Sequence, residues 1–259
     1  NFGKIDSSNL NAINVGDDFK SILSLNNEKF KKILNKSKKP LFIIGQGPLS
    51  TEKGKDLFHF ILKTYNKLKL DQNWNGFNVL QNYSGRVGAL DLGFYSTKNL
   101  NKNYISNIYQ GKYEVLYLFN TDELDFNKIP DKTFVIYQGH HGDRAINRAN
   151  LVIPTSCFTE KEGLYVNLEG RPQISRQIKA PIAGVKNAWD FFKNLASNLN
   201  VDIGYQNLIE LRNLMNSSVP HLSKINHPSY HKIPVIKSNL SKFNKDIIKS
   251  SIENFYMTD

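Results

Sequence analysis

Between polar, lysine-rich stretches the chain carries a few short apolar runs: Leu41-Phe42-Ile43-Ile44, Val115-Leu116-Tyr117-Leu118-Phe119 and Leu151-Val152-Ile153. Runs this short, bounded by turn residues, read as strands buried on both faces. Residues 133–137 and a stretch near Phe77 to Leu80 complete the strand set. Helical spacing alternates with these runs. Residues 30–34 with flanking lysines predict a helix stopped by Pro40. Leu57, Phe58, Ile61, Leu62 and Tyr65 predict a second, which Ser50 or Thr51 is expected to cap. A helical stretch follows through Gly85, Gly88 and Leu92. Trp189, Phe192 and Leu195 share one face of a later helix, and Leu208, Leu211, Leu214 and Met215 mark another. Residues 1–28 read as a polar, extended lead-in, and residues 120–131 as a polar loop. Pro220, Pro228 and Pro234 mark an irregular connection to the tail. Strands alternating with helices imply an α/β protein with a mostly parallel sheet flanked by helices. The expected organisation is a lead-in and helix over 1–38, an α/β domain over 39–218 and an irregular tail over 219–259. No internal repeat is visible.

Composition narrows the classes. The formal charge of +11 raises the prior for an anionic partner. The lysines are spread through 29–39, 53–69 and 224–249 on helix faces, so they read mainly as solvated surface, and an AT-rich coding bias produces the same excess. A nucleic-acid-binding module is a rival reading, but no aromatic-and-basic recognition motif is present. A single cysteine, Cys157, cannot form an internal disulfide, a four-cysteine zinc site or an iron–sulfur cluster. No apolar run approaches the roughly 20 residues that cross a bilayer, and the chain reads as not membrane-spanning. It begins at Asn1 without an apolar or Arg-rich leader, so a processed chain or a piece of something longer is expected.

Several clusters invite chemistry, and each has a plainer reading. Gly45-Gln46-Gly47 after a strand suggests a dinucleotide turn, yet the third glycine of that motif would fall at Ser50 and no Walker lysine follows. A tight strand-to-helix turn explains it. Gly139-His140-His141-Gly142-Asp143 resembles a metal or acid–base cluster, but adjacent histidines on extended backbone point to opposite sides. A strand-terminal loop with local hydrogen bonds is the expectation. Thr159, Glu160, Lys161, Glu162 and Gly163, then Asn167, Glu169, Gly170 and Arg171, form the densest polar constellation. It could serve acid–base chemistry if burial separated the carboxylate pKa values; ion pairs and turn-closing hydrogen bonds explain it without chemistry. Ser156 and Cys157 lack any nucleophile motif. No residue is assigned a catalytic, cofactor-binding or metal-binding role.

The stretch from Tyr137 to Arg171, YQGHHGDRAINRANLVIPTSCFTEKEGLYVNLEGR, resembles the C-terminal part of the molybdopterin-oxidoreductase-like fold. More narrowly, it is similar to the version in the largest iron–sulfur subunit of respiratory complex I (NADH:ubiquinone oxidoreductase). The likeness extends to Lys39-Pro40-Leu41-Phe42-Ile43-Ile44-Gly45, to Ala89-Leu90-Asp91-Leu92-Gly93 and to Asn254-Phe255-Tyr256-Met257-Thr258-Asp259. The cysteine-rich half of that subunit has no counterpart here, so the resemblance implies a split or partial form. It further implies a domain that has lost its molybdopterin and supports the cluster-bearing part of the peripheral arm. On that reading the chain carries no cofactor. Iron–sulfur clusters, FMN and NADH belong to partner subunits, and the chief partner is the cluster-bearing N-terminal half of the same subunit. The implied location is the matrix side of the mitochondrial inner membrane, or the cytoplasmic face of a bacterial plasma membrane. A working molybdopterin- or nucleotide-binding oxidoreductase is the other reading.

Overall fold

A computed structural model describes residues 1–3, 12–71, 73–95, 103–142, 144–229, 233 and 243–249. The chain divides into two compact units: Asn1–Val87, Val166–Arg171 and His227–Asp259 form unit 1, and Gly88–Tyr165 with Pro172–Asn226 form unit 2. These cut across the consecutive segments suggested by the pattern, because unit 1 draws on both ends of the chain. Its ends meet through backbone: Asp18 and Ile247 form an antiparallel bridge, and the Phe19 N–H donates to the Asp246 carbonyl at 3.1 Å.

In unit 1 the expected extended lead-in is corrected. Phe19–Asn26 is a 3-10 helix whose first turn is capped by Asp18, which accepts the Ser21 N–H at 2.7 Å. Phe19, Ile22 and Leu25 are all buried. Their spacing of three residues places them on one face of a helix with three residues per turn, a period that a search for 3.6 or 2.0 passes over. The lysine-flanked helix forms as α1 (Glu28–Lys36). β1 (Phe42–Ile44) leads into α2 (Gln46–Leu49), then α3 (Gly54–Tyr65), and β2 (Phe77–Val79) pairs parallel to β1. Neither Ser50 nor Thr51 caps α3. Their hydroxyls donate back to the carbonyls of Gln46 and Pro48, and Lys53 holds the N-cap position of α3 without a side-chain cap. Leu57, Phe60, Ile61, Leu62 and Tyr65 of α3 are buried, and the first, second and third of these join Phe19, Ile22, Leu25 and Ile44 in one core. Tyr65 packs edge-on to Phe42 and Phe77, with ring centroids 5.3 and 5.5 Å away, while its hydroxyl accepts the Gly76 N–H. A side chain at Gly76 would lie 2.2 Å from the Pro40 carbonyl, so only glycine fits there.

Unit 2 holds a three-stranded parallel sheet. α4 (Arg86–Asp91) and α5 (Tyr104–Tyr109) precede β3 (Val115–Phe119), β4 (Phe134–Gly139), α6 (Arg144–Arg148) and β5 (Leu151–Pro154), with β4 in the centre. β3 pairs with β4 from Val115↔Phe134 to Phe119↔Gln138, and β4 with β5 from Ile136↔Leu151 to Gly139↔Pro154. One face carries Leu118, Val135 and Tyr137 into a core with Ile108, Ile129 and Ala145. Burying each large side chain here contributes about 1.5–3 kcal/mol. The other face presents Tyr117 and Phe119, whose rings meet Phe192 at 6.0 and 6.1 Å. Val115 and Phe119 of β3, Phe134 of β4, and Leu151 and Val152 of β5 stay exposed, contrary to the expectation of strands covered on both faces. β6 (Gly163–Val166) and β7 (Pro172–Ser175) form a separate two-stranded sheet that the hydrophobic pattern did not predict. Phe192 belongs to α7 (Ala188–Asn198), and α8 (Leu208–Ser218) follows, both as the apolar spacing predicted. The mostly parallel α/β class stands. Among the described residues no helix is long and apolar enough to cross a membrane.

Candidate functional site

Open α/β sheets bind ligands beyond the carboxyl ends of their strands, so those ends are where chemistry would lie. In unit 1, β1 runs through Gly45 into the four residues of α2. The expected turn at residues 45–48 is therefore a single helical turn. Gly45 has an ordinary negative φ, and a side chain there would meet nothing, so no close backbone approach requires it. Pro48 withholds one N–H from the turn, and Gln46 Nε2 donates across to Gln81 Oε1 at 3.0 Å.

In unit 2 the carboxyl ends of β3 and β4 converge on a knot of side chains. Asn120, at φ 47°, extends the ladder by donating its N–H to the Gln138 carbonyl. Its Oδ1 lies 3.2 Å from His140 Nδ1, a pairing that requires the Nδ1 tautomer to carry the proton. Two residues on, Asp122 uses both carboxylate oxygens. One accepts the Ala145 N–H at 3.1 Å in the first turn of α6, and the other lies 3.3 Å from the Tyr137 hydroxyl. The same hydroxyl reaches the His141 carbonyl at 3.0 Å. A side chain at Gly139 would lie 2.3 Å from that hydroxyl, so glycine makes room for the phenol to close the loop. His140 and His141 do not point apart as extended backbone requires. The chain bends after Gly139, and the two rings meet edge-to-face with centroids 4.6 Å apart. Among the described residues no group of three or more His, Cys, Asp or Glu side chains could hold a metal ion; Asp143 lies outside the described residues.

On the sheet's other face Tyr117 donates to Gln138 Oε1 at 2.6 Å, and burial raises the phenol's pKa above its ordinary value. Gln138 and Ser156 are fully buried, and Gln138 Nε2 and Ser156 Oγ have no partner among the described residues. Cys157 Sγ lies 3.0 Å from Thr159 Oγ1, and the Cys157 N–H donates to Glu160 Oε2, closing a capping box on the 3-10 turn Phe158–Glu160. Glu162 pairs with Arg212 of α8 at 3.2 Å. The second half of the polar constellation belongs to unit 1. There Asn167 Oδ1 accepts the N–H groups of Glu169 and Arg171, and Glu169 pairs with Arg171 at 3.1 Å. Hydrogen bonding to Arg171, then to Asn167, holds the Glu169 carboxyl below the usual carboxylate range. Caps, turns and ion pairs thus account for Glu160, Glu162 and Glu169.

A cleft of about 550 Å³ lies beside residues 123–127 and α6, lined by Glu123, Asp125, Arg144 and Arg148 among others. Asp125 pairs with Lys128 at 2.8 Å, and Arg148 donates to the carbonyls of Pro130 and Thr133. Glu123 and Arg144 are engaged as well. Each charged side chain lining the cleft is thus already engaged.

A phosphorylated pterin needs cations or free N–H groups for its phosphates, and its metal needs an accessible thiolate, hydroxyl or carboxylate. The described residues at these strand ends do not fit that group. Asp122, Tyr137, Asn120 and His140 bond one another, Ser156 is fully buried, and Cys157 is held by Thr159. The histidines of this knot stood out in the sequence. Asn120 and Asp122 did not, being lodged in a polar loop. Polar residues within three positions of a strand's carboxyl end were the available signal.

The family model described as molybdopterin oxidoreductase matches residues 5–198. The chain is similar to a subunit of the NADH-quinone oxidoreductase of Rickettsia conorii, 35% identical over 250 residues that cover 95% of this chain and 35% of that protein. It is also similar to the NADH-ubiquinone oxidoreductase 75 kDa subunit of Reclinomonas americana, 35% identical, with 99% of this chain and 38% of that protein covered. The mitochondrial NADH-ubiquinone oxidoreductase 78 kDa subunit of Candida albicans is 30% identical over 98% of this chain and 35% of its own length. The chain therefore spans about a third of the length of the curated relatives it matches.

Proposed function

The chain belongs to the molybdopterin oxidoreductase family, and from that membership we propose that it serves as a structural, non-catalytic part of complex I. In this reading it supports NADH:ubiquinone electron transfer by assembly in the peripheral arm, on the matrix side of the mitochondrial inner membrane or the equivalent bacterial face. Iron–sulfur clusters, FMN and NADH lie on partner polypeptide, and the chain itself carries no cofactor. The observation that carries the proposal is the knot at the carboxyl ends of β3 and β4. Asp122, Tyr137, Ala145 and His141 satisfy one another where this fold class places its ligands. The names of the relatives supply the system, since each is a subunit of an NADH–quinone or NADH–ubiquinone oxidoreductase.

Native electrophoresis with subunit mass spectrometry tests it, combined with molybdenum and pterin analysis of the band that holds the chain. The proposal expects the chain in a large assembly that oxidises NADH, with neither molybdenum nor pterin bound to it. A free chain loaded with metal or pterin and turning over alone would overturn the proposal.

A further inference from the structure

We propose that the connection between β7 and α7, residues 176–186, is an interaction surface for an acidic protein partner with an apolar centre. Three observations point there. First, Ile178 and Ile182 are 83% and 71% exposed, and Ile178 is the most exposed large hydrophobic side chain among the described residues. Scattered exposed hydrophobics are ordinary, but with Ile174 (42% exposed) three exposed isoleucines fall within residues 174–182, a concentration suited to an interface. Second, residues 172–189 contain Arg176, Lys179 and Lys186 and no Asp or Glu. Lys186 reaches Asp190 at 4.0 Å, while Arg176 and Lys179 make no ion pair among the described residues. Third, the segment is pinned and does not trail. The N–H groups of Ile178 and Lys179 both donate to the Thr159 carbonyl, at 2.9 and 3.1 Å. The Val185 N–H closes a turn on Ile182, and Lys186 forms a parallel bridge with Thr155. A backbone fixed at both ends presents its side chains already ordered, which lowers the entropy cost of association.

Charge selects the partner. A second copy of a chain carrying +11 would oppose like charge with like charge. A carboxylate-rimmed protein surface complements Arg176 and Lys179 and offers an apolar seat to Ile178 and Ile182. The inference rests on the structural role proposed above and deepens it by naming a surface that docks.

Zero-length carbodiimide coupling joins lysine amines to carboxylates they already touch, and it can be applied to the native assembly that holds the full chain. Peptide mass spectrometry should find Lys179 coupled to an Asp or Glu of another polypeptide. The I178S/I182S double variant, with a melting transition like that of the wild type, should lose at least about tenfold in recovery with that polypeptide. A second variant, R176E/K179E, should do the same by reversing the charge. If the chain assembles normally while Lys179 stays uncoupled and both variants are retained, the surface inference falls and the structural role stands. If the chain is absent from any NADH-oxidising assembly yet couples through Lys179 to an acidic protein, the surface stands and the complex I reading falls. Sedimentation of the chain with phosphatidylserine vesicles or RNA, abolished by the same variants and without protein coupling, would overturn the choice of a protein partner.

Discussion

The carboxyl ends of β3 and β4 and the connection at residues 176–186 handle their side chains in opposite ways. At the strand ends, polar groups turn toward one another: Asp122 binds Tyr137 and Ala145, and Asn120 binds His140. In the connection, backbone groups are tied down and side chains are left outward, Ile178 and Ile182 among them. The first region has the address of a ligand site and the chemistry of a closed loop. The second exposes isoleucines and basic side chains on a fixed backbone. Position in a fold therefore does not by itself assign function at that position.

Substitutions should split the two regions. The largest loss is expected from Gly139→Ala, because the new methyl lies against the Tyr137 hydroxyl and the strand end cannot yield easily. Overpacking of this kind costs about 1–3 kcal/mol, read from urea unfolding. Asp122→Ala follows, removing the acceptor of the Ala145 N–H at about 1–3 kcal/mol, while the Tyr137 hydroxyl keeps the His141 carbonyl. Tyr137→Phe should cost about 0.5–1.5 kcal/mol on the same scale. In contrast I178S/I182S should change stability by no more than about 0.5 kcal/mol, since both side chains face solvent. Equal losses in both regions would erase the contrast.

The smallest effect concerns Glu169, an exposed carboxylate in neither region. Its folded pKa is depressed, so its pairing with Arg171 contributes fully above the ordinary carboxylate range and is lost as pH falls through the lowered value. Carbon-detected titration should find the Glu169 midpoint low in the wild type and ordinary in Arg171→Ala. An unmoved midpoint would remove Arg171 as the cause.

Much of the fold was readable because short apolar runs have few alternatives. Residues 41–44, 115–119, 133–137 and 151–153 became strands within one or two positions of the expectation, and the spacing around Trp189 and Leu208 became α7 and α8. Phe19, Ile22 and Leu25 escaped because their period belongs to a 3-10 helix. β7 escaped because Pro172-Gln173-Ile174-Ser175 carries almost no apolar signal. The site was less legible. Tyr137 and His140 could be placed at a strand end, but their partners Asp122 and Asn120 lie 15 and 20 residues earlier, across a sheet register that sequence spacing does not encode. Terminal residues 254–259, which carried part of the resemblance, lie outside the described residues.

The central claim is that this polypeptide acts through assembly and not through reaction. NADH:quinone turnover per assembled complex, compared between wild type, Asp122→Ala and I178S/I182S, tests it most directly. Fewer assembled complexes are expected in the variants, with unchanged turnover in each complex that forms. Full assembly with turnover lost would contradict it.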